Sequence, residues 1–454
     1  MADAGETRFR IALLGDFSGR ANRRIRTAIR AVPIDPDNFE DVMEQLGVAL
    51  DLPGVSVRFR ELDDFHPDQL YQNLSLFAPI REARQQLANP QTFRAAAEKL
   101  RPVAPPPAPA AATGGLLDQI AEQSSEPSAD RVPAGDEAAW DQAIRKIAAK
   151  HATPGRDPRQ DQAIALVEEA AAVQLRAILS NPDFQAMEAA WRSIFFLFRY
   201  VETGVELHIE LIDISQDELL PKQAELTKLL AGLPVGESPW SVVAGLFTFS
   251  PEERDCALLA RLGAIARQAG APFIASIHPR LFGCESIAGT PDPDDWKTPL
   301  ALENAQAWQR LRHAPDANWI GLAFPRFLLR LPYGKKTSPI ESFDFEEMPH
   351  PPTHDSYLWG NPAIACAALL GESFNQQGWD MRPGSINRLD GLPVHSFATM
   401  DPTPTAEIWM TERFAATILD AGVMPLASVK HSDAVLLVRF QSIAYSAQPL
   451  AGPW

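Results

Sequence analysis

Four stretches of the chain carry residue types that chemistry could use. The run Asp63-Asp64-Phe65-His66-Pro67-Asp68 sets carboxylates around one imidazole, the composition of a general acid–base pair. It also fits a capped helix start, with acids in the first turn where they complement the helix dipole, and that is the expectation here. The run Leu13-Leu14-Gly15-Asp16-Phe17-Ser18-Gly19-Arg20 follows an apolar stretch and holds two glycines. It lacks both the Gly-Lys-Ser/Thr of a phosphate loop and dinucleotide-binding spacing, so Gly15 and Gly19 are expected to serve turn geometry. His350 and His354 stand four apart, but Pro351 and Pro352 preclude the helix that would aim both at one metal, which leaves an exposed loop. Cys284 lies near His278 with nothing to orient a base, and no Gly-x-Ser-x-Gly occurs. The expectation is no catalytic residue, no metal ligand, no cofactor and no enzymatic activity.

The elements around these residues read as an α/β (mixed α+β) protein. In "RFRIALLGDF" the apolar run Ile11 to Leu14 predicts a strand buried on both faces. In "FEDVMEQLGVALDL", Phe39, Val42, Met43 and Leu46 have helical spacing behind cap residues between Asp35 and Asn38. "VSVRFREL" alternates as a half-buried strand, and "DDFHPDQLYQNLSLFAPIREARQQL" reads as one helix opened by Asp64 or His66, with Pro67 in its first turn. Farther on, "VELHIELIDI", "WSVVAGLFTFS" and "APFIASI" read as strands, and "ERDCALLARLGAIARQAG" as a helix stopped by Gly270. Pro325 and Pro332 break "WIGLAFPRFLLRLPYG". The stretch from "AEIWM" onward reads as strand, helix, a stop at Gly422 and two strands. Phe184, Met187, Glu188, Trp191 and Phe195 share one helical face, and these residues, with Tyr357, Trp359 and Trp379, are expected in the core.

The 454 residues are 46% hydrophobic, enough for a sizeable core in two or three domains. A formal net charge of −17 disfavours nucleic acid as a partner, since phosphate neutralisation needs Lys and Arg. The basic cluster "RANRRIRTAIR" is expected to be a solvated helix face. No apolar run reaches membrane-spanning length and the N-terminus lacks a secretory pattern, so no membrane insertion and a cytoplasmic location are expected. Three separated cysteines, Cys256, Cys284 and Cys366, fit a reducing compartment. Residues 101–136 are rich in Pro and Ala, then polar, and predict a tether of about 3.1 Å per residue where it adopts polyproline geometry.

Several long segments resemble a known family. "NPDFQAMEAAWRSIFFL", "APFIASIHPRLFG", "WQRLRHAPDANWIGLAFPRFLLRLPYG", "FDFEE", "YLWGNPAIACA", "SFNQQGWDMRPG" and "PTAEIWMTER" are similar to the large subunit (TssC, or VipB) of the type VI secretion system contractile sheath. "RFRIALLGDFSGR", "IDPDNFEDVM" and "VRFRELDDFHPDQLYQNLSLFAPIREARQQL" resemble the small subunit (TssB, or VipA). The resemblance implies a fusion: a small-subunit-like part at 1–100, the linker at 101–136, and a large-subunit-like part at 137–454, shortened at its C-terminus. It implies a structural, non-enzymatic role in a contractile tube whose subunits exchange strands. Implied partners are other sheath subunits, inner-tube or baseplate proteins and the sheath-disassembling ATPase. Bulk sheath, cap or adaptor, and non-polymerising regulator stay open at this point, as does packing of the two parts within one chain or between chains.

Overall fold

The computed structural model describes residues 8–99, 158–232, 238–348, 352–396 and 402–454. The expected tether, the stretch up to residue 157 and His350 lie outside the described residues. The chain divides into two compact units, Met1–Leu76 with Gln174–Trp454, and Phe77–Val173.

The larger unit begins with β1 (Phe9–Gly15), α1 (Arg20–Arg23), β2 (Ala31–Ile34), α2 (Phe39–Leu46), the hairpin strands β3 (Ala49–Leu52) and β4 (Val55–Arg58), and α3 (Pro67–Asn73). The smaller unit contributes α4 (Ala78–Ala88), α5 (Phe93–Lys99) and most of α6 (Pro158–Leu179). Returning to the larger unit, the order is α7 (Pro182–Phe198), β5 (Leu207–Asp213), α8 (Gln223–Ala231), β6 (Val242–Phe249), α9 (Glu253–Ala269) and β7 (Phe273–Ile277). Then come α10 (Leu302–Arg312), β8 (Ile320–Phe324), β9 (Phe327–Arg330), β10 (Leu358–Gly360) and α11 (Pro362–Gln377). The chain closes with β11 (Arg388–Leu389), α12 (Glu412–Asp420), β12 (Met424–Ser428) and β13 (Val435–Leu437).

Among the described residues the main sheet has nine strands in the order β11-β13-β12-β8-β7-β6-β1-β5-β2. Its six inner strands, β12 to β5, run parallel, and antiparallel pairs finish both edges. The N-terminal strand β1 therefore lies inside the sheet, between two strands that follow it by roughly two hundred residues. Its side chains alternate between two cores. Ala12 and Leu14 join the layer under α8, α9, α10 and α12. Phe9 and Ile11 meet α11 on the other face, where Phe9 stacks on Phe374 at 4.7 Å. A Cβ on Gly371 would come 2.7 Å from Val201, so glycine is what lets α11 approach this closely.

Two expectations are corrected. The helix expected over 64–87 is broken: Leu74 is extended, and Pro79 opens α4, where its missing N–H and its ring forbid continuation from the preceding turn. "VSVRFREL" does form the expected strand over Val55–Arg58, β4, in a hairpin with β3. "AEIWM" is not a strand: Glu407 has a left-handed φ of 22°, and the Ala406 N–H donates to Ser428 Oγ. As expected, Pro325 breaks "WIGLAFPRFLLRLPYG", separating β8 in the main sheet from β9, which pairs with β10. Gly270 and Gly47 stop α9 and α2 in left-handed conformations.

The smaller unit packs Leu87, Phe93, Ala96 and Val167 together. Gln160 donates to the carbonyls of Leu87 and Ala88, satisfying the end of α4, and Arg84 pairs with Glu168 at 2.7 Å.

Candidate functional site

The residues 9–65 meet the rest of the larger unit along a seam of three kinds of contact. The first is backbone: Ile11, Leu13 and Gly15 stand opposite Ile209, Leu211 and Asp213 of β5, and Ile11 and Leu13 stand opposite Val242 and Ala244 of β6.

The second is aromatic. Trp191 on α7 donates its indole N–H to the Phe17 carbonyl at 2.9 Å and packs edge-on against Phe17 and Phe39. Phe184 meets the stacked pair Phe59–Phe65. Phe195, expected on the same buried face, is 53% exposed. Helical spacing fixes a side chain's direction but does not place a partner there, and among the described residues the rings that cover Phe184 and Trp191 have no counterpart at Phe195.

The third is ionic. Buried Arg10 pairs with Glu210 at 2.6 Å, its guanidinium 3.9 Å from the Trp240 ring centroid. Buried Arg20 pairs with Glu218 at 2.7 Å and Asp213 at 3.3 Å. Cations come from the N-terminal segment and carboxylates from the later one. Burial pushes the Glu218 carboxyl up, but bonds from Arg20 and the Ser215 N–H override it and hold it below its ordinary value. The expected solvated helix face is not what forms: α1 ends at Arg23, exposed Arg24, Arg26 and Arg30 lie beyond it outside any helix, and Arg20 within it is buried against these carboxylates.

A fourth buried cluster locks α7 to β9. Arg330 contacts Glu188 at 2.7 and 3.1 Å and Glu347 at 2.7 and 2.9 Å. Arg192 also reaches Glu188, and its guanidinium donates to the Tyr333 hydroxyl. Burial raises the Glu188 carboxyl, yet the two arginines bring it below its ordinary value; burial pushes the Tyr333 phenol up to about 12.

The residues singled out for chemistry serve as caps and ties. His66 Nδ1 accepts from the Asp68 N–H at the start of α3, and the Asp68 carboxylate accepts from the N–H groups of Glu341 and Ser342. In the Gly15–Arg20 loop, Asp213 takes the N–H groups of Phe17 and Ser18, and Asp16 takes those of Arg20 and Ala21. Carboxylates already hold the donors that a phosphate would need. Gly19 has φ 80°, and a Cβ there would strike the Ala49 carbonyl, which gives this glycine its turn role. Cys284 is buried with its thiol pushed up by burial, and His278 Nδ1 accepts from the Arg280 N–H. Burial also pushes Cys256 up to about 12. Tyr357 and Trp359 are buried as expected; Trp379 is half-exposed against Phe9 and Phe374.

His354 departs from the exposed loop expected of it. Its ring stacks on Trp359, and its Nε2 lies 2.9 Å from Glu407, which also takes the Arg326 guanidinium and N–H. These groups line a cavity of about 330 Å³ beyond the carboxyl ends of β6, β7 and β8, with His278, Glu285 and Asp355. Ligands often bind at such places in parallel sheets. Here the central charges neutralise one another, and among the described residues no group of three or more His, Cys, Asp or Glu side chains is placed to hold a metal. Burial raises the Glu407 carboxyl, but Arg326 and His354 hold it down at about 2. A folded value below the ordinary 4.5 means stability that is present above pH 4.5 and lost as pH falls toward 2. Glu407→Gln is therefore expected to cost about 3 kcal/mol at pH 7. Urea titrations should show the gap to the wild type closing between pH 5 and pH 2; a gap independent of pH would contradict it.

Among the described residues no helix is long and apolar enough to cross a membrane. Residues 161–444 match the family described as EvpB/VC_A0108, tail sheath N-terminal domain. Residues 2–102 match the family described as Type VI secretion system, VipA, VC_A0107 or Hcp2. The chain is 32% identical over 306 residues to the type VI secretion system sheath protein TssC1 of Pseudomonas aeruginosa strain PAO1. That alignment covers 63% of this chain and 61% of the relative.

Proposed function

Because this chain belongs to the tail-sheath family of EvpB and VC_A0108, we propose that it is a structural component of a type VI secretion system contractile sheath, or a cap or adaptor on one. It acts by protein–protein assembly and not by catalysis. The observation that carries the reading is β1: a strand from the VipA-like region sits between β5 and β6 of the tail-sheath region in one sheet. Two sheath-type segments in a single chain fix their one-to-one ratio, and an effective concentration set by the linker favours their pairing. A unit whose strands, rings and buried ions interlock is suited to move as a rigid body, as the subunits of a tube must when it shortens. Other sheath subunits are its first partners; inner-tube or baseplate proteins and the sheath-disassembling ATPase are further ones. The chain works in the cytoplasm on this reading.

Negative-stain electron microscopy of the protein alone and mixed with full-length sheath subunits tests this. Tubes from the protein alone mean bulk sheath, and particles at tube ends or shortened tubes mean a cap. Tubes to which the protein never binds would refute the proposal. Binding to free subunits or to the ATPase without entry into tubes would make it a regulator instead.

A further inference from the structure

Arg312 ends α10 and is 7% exposed. The other deeply buried arginines described above, Arg10, Arg20 and Arg330, each meet at least one carboxylate. Among the described residues Arg312 meets none within ion-pair distance. Among the described residues its side chain makes one hydrogen bond, from Nε to the Ile443 carbonyl at 3.0 Å, and Tyr445 and Asp420 supply longer-range attraction. The helix C-terminus and that carbonyl offer partial negative charge. The terminal guanidinium nitrogens, which form the fork that binds a carboxylate in two parallel bonds, have no hydrogen-bond partner among the described residues. Burial pulls the group below its ordinary arginine value, the direction expected of an under-compensated cation.

Beside it stands Tyr445, 54% exposed, its ring centroid 5.6 Å from the guanidinium. The Tyr445 N–H donates to the Arg312 carbonyl, and its ring stacks on His313 at 4.6 Å. The next two residues, Ser446 and Ala447, have φ of 68° and 49°, a left-handed pair in residues that carry a Cβ. This strained turn holds an aromatic ring at the surface next to a cation that has no carboxylate partner among the described residues. Tyrosine and arginine are the side chains enriched where binding energy concentrates in protein interfaces.

We propose that Arg312 and Tyr445 form a docking point for an aspartate or glutamate side chain of a second copy of this chain. The inference rests on the assembly reading above and gives it a contact. The occupant follows from local charge: copies with 58 acidic and 41 basic residues repel as wholes, so a contact between them needs a cation that meets one of the surplus carboxylates of the next copy. Exposed Glu61 illustrates this, its carboxyl raised by slight burial and by the neighbouring acids Asp64, Glu40 and Asp63. A cationic socket on one copy and an acidic surface on the next make a head-to-tail contact, which propagates without closing unless its rotation completes a ring.

The test is sedimentation velocity over a concentration series, paired with thermal unfolding of dilute protein. Arg312→Met keeps the volume and removes the charge. It should weaken self-association tenfold or more while the dilute protein melts at the wild-type temperature or above. Arg312→Lys keeps charge without the fork and should fall between. Tyr445→Ala, at an exposed position that the fold tolerates, should weaken association threefold or more. An Arg312→Met protein that melts lower, or associates as the wild type does, overturns the inference and makes Arg312 a helix-end tie. Wild-type protein that enters tubes of other sheath subunits but never self-associates also overturns it and leaves the assembly reading standing; protein that does neither removes both.

Discussion

Urea denaturation of an Arg330→Ala protein is expected to show a loss of about 3–5 kcal/mol, the cost of leaving buried charge without its partner. Arg330 supplies four hydrogen bonds to two carboxylates, and Glu188 is fully buried. Without it, Glu188 keeps Arg192 alone among the described residues, and Glu347 loses the charge that balances it while still accepting from the Tyr333 N–H. A domain has about 5–15 kcal/mol in total, so this one change removes a large part of it. The triple variant Arg330→Met, Glu188→Gln, Glu347→Gln should lose less than the single one, because no buried carboxylate is left without its cation and the remaining Arg192 side chain, 21% exposed, reaches water. A single-variant loss below about 1 kcal/mol would mean that water reaches the cluster and screens it.

The second large effect concerns β1. A chain lacking residues 1–99 is expected to be insoluble when expressed alone and to become soluble when residues 1–99 are supplied as a separate piece. Phe9, Ile11, Leu13 and Leu14 are fully buried, and at roughly 1.5–3 kcal/mol each they contribute an amount comparable to the stability of the whole fold. Their removal also opens the facing edges of β5 and β6, two apolar strands with unpaired backbone groups in the middle of a sheet. Glu210, Glu218 and Asp213 would lose Arg10 and Arg20 as well. Size-exclusion chromatography decides the matter. A shortened chain that elutes as a monomer and unfolds cooperatively would show that the later strands close the gap themselves.

The same two features mark what could be read without a structure. The apolar run Ile11–Leu14 determined by itself that this strand is buried on both faces, since nothing in it could face water. Gly270, Gly47 and Pro325 set their boundaries locally, through a left-handed cap or a missing N–H. The absence of a phosphate loop or a helical His pair was equally local, because such motifs need fixed spacing along the chain. The long segments similar to sheath subunits carried the family.

Tertiary structure alone decided which strands flank β1 and which charges are buried. Apolar pattern says that a strand needs two neighbours, and its register with β5 and β6 arises only when segments some two hundred residues apart meet. Glu210 in "VELHIELIDI" and Arg330 in "FLLRLPYG" were visible as charges inside apolar stretches, a signal that each needed a partner. Their partners, Arg10 for one and Glu188 with Glu347 for the other, lie far away in sequence or beyond a loop. Phe195 and Arg312 show the converse. Helical spacing points Phe195 along a buried face and sequence makes Arg312 an ordinary helix-end cation, while folding leaves the first exposed and encloses the second without a carboxylate. Whether a side chain is covered depends on what else arrives at the same place, and that is a property of the packed chain.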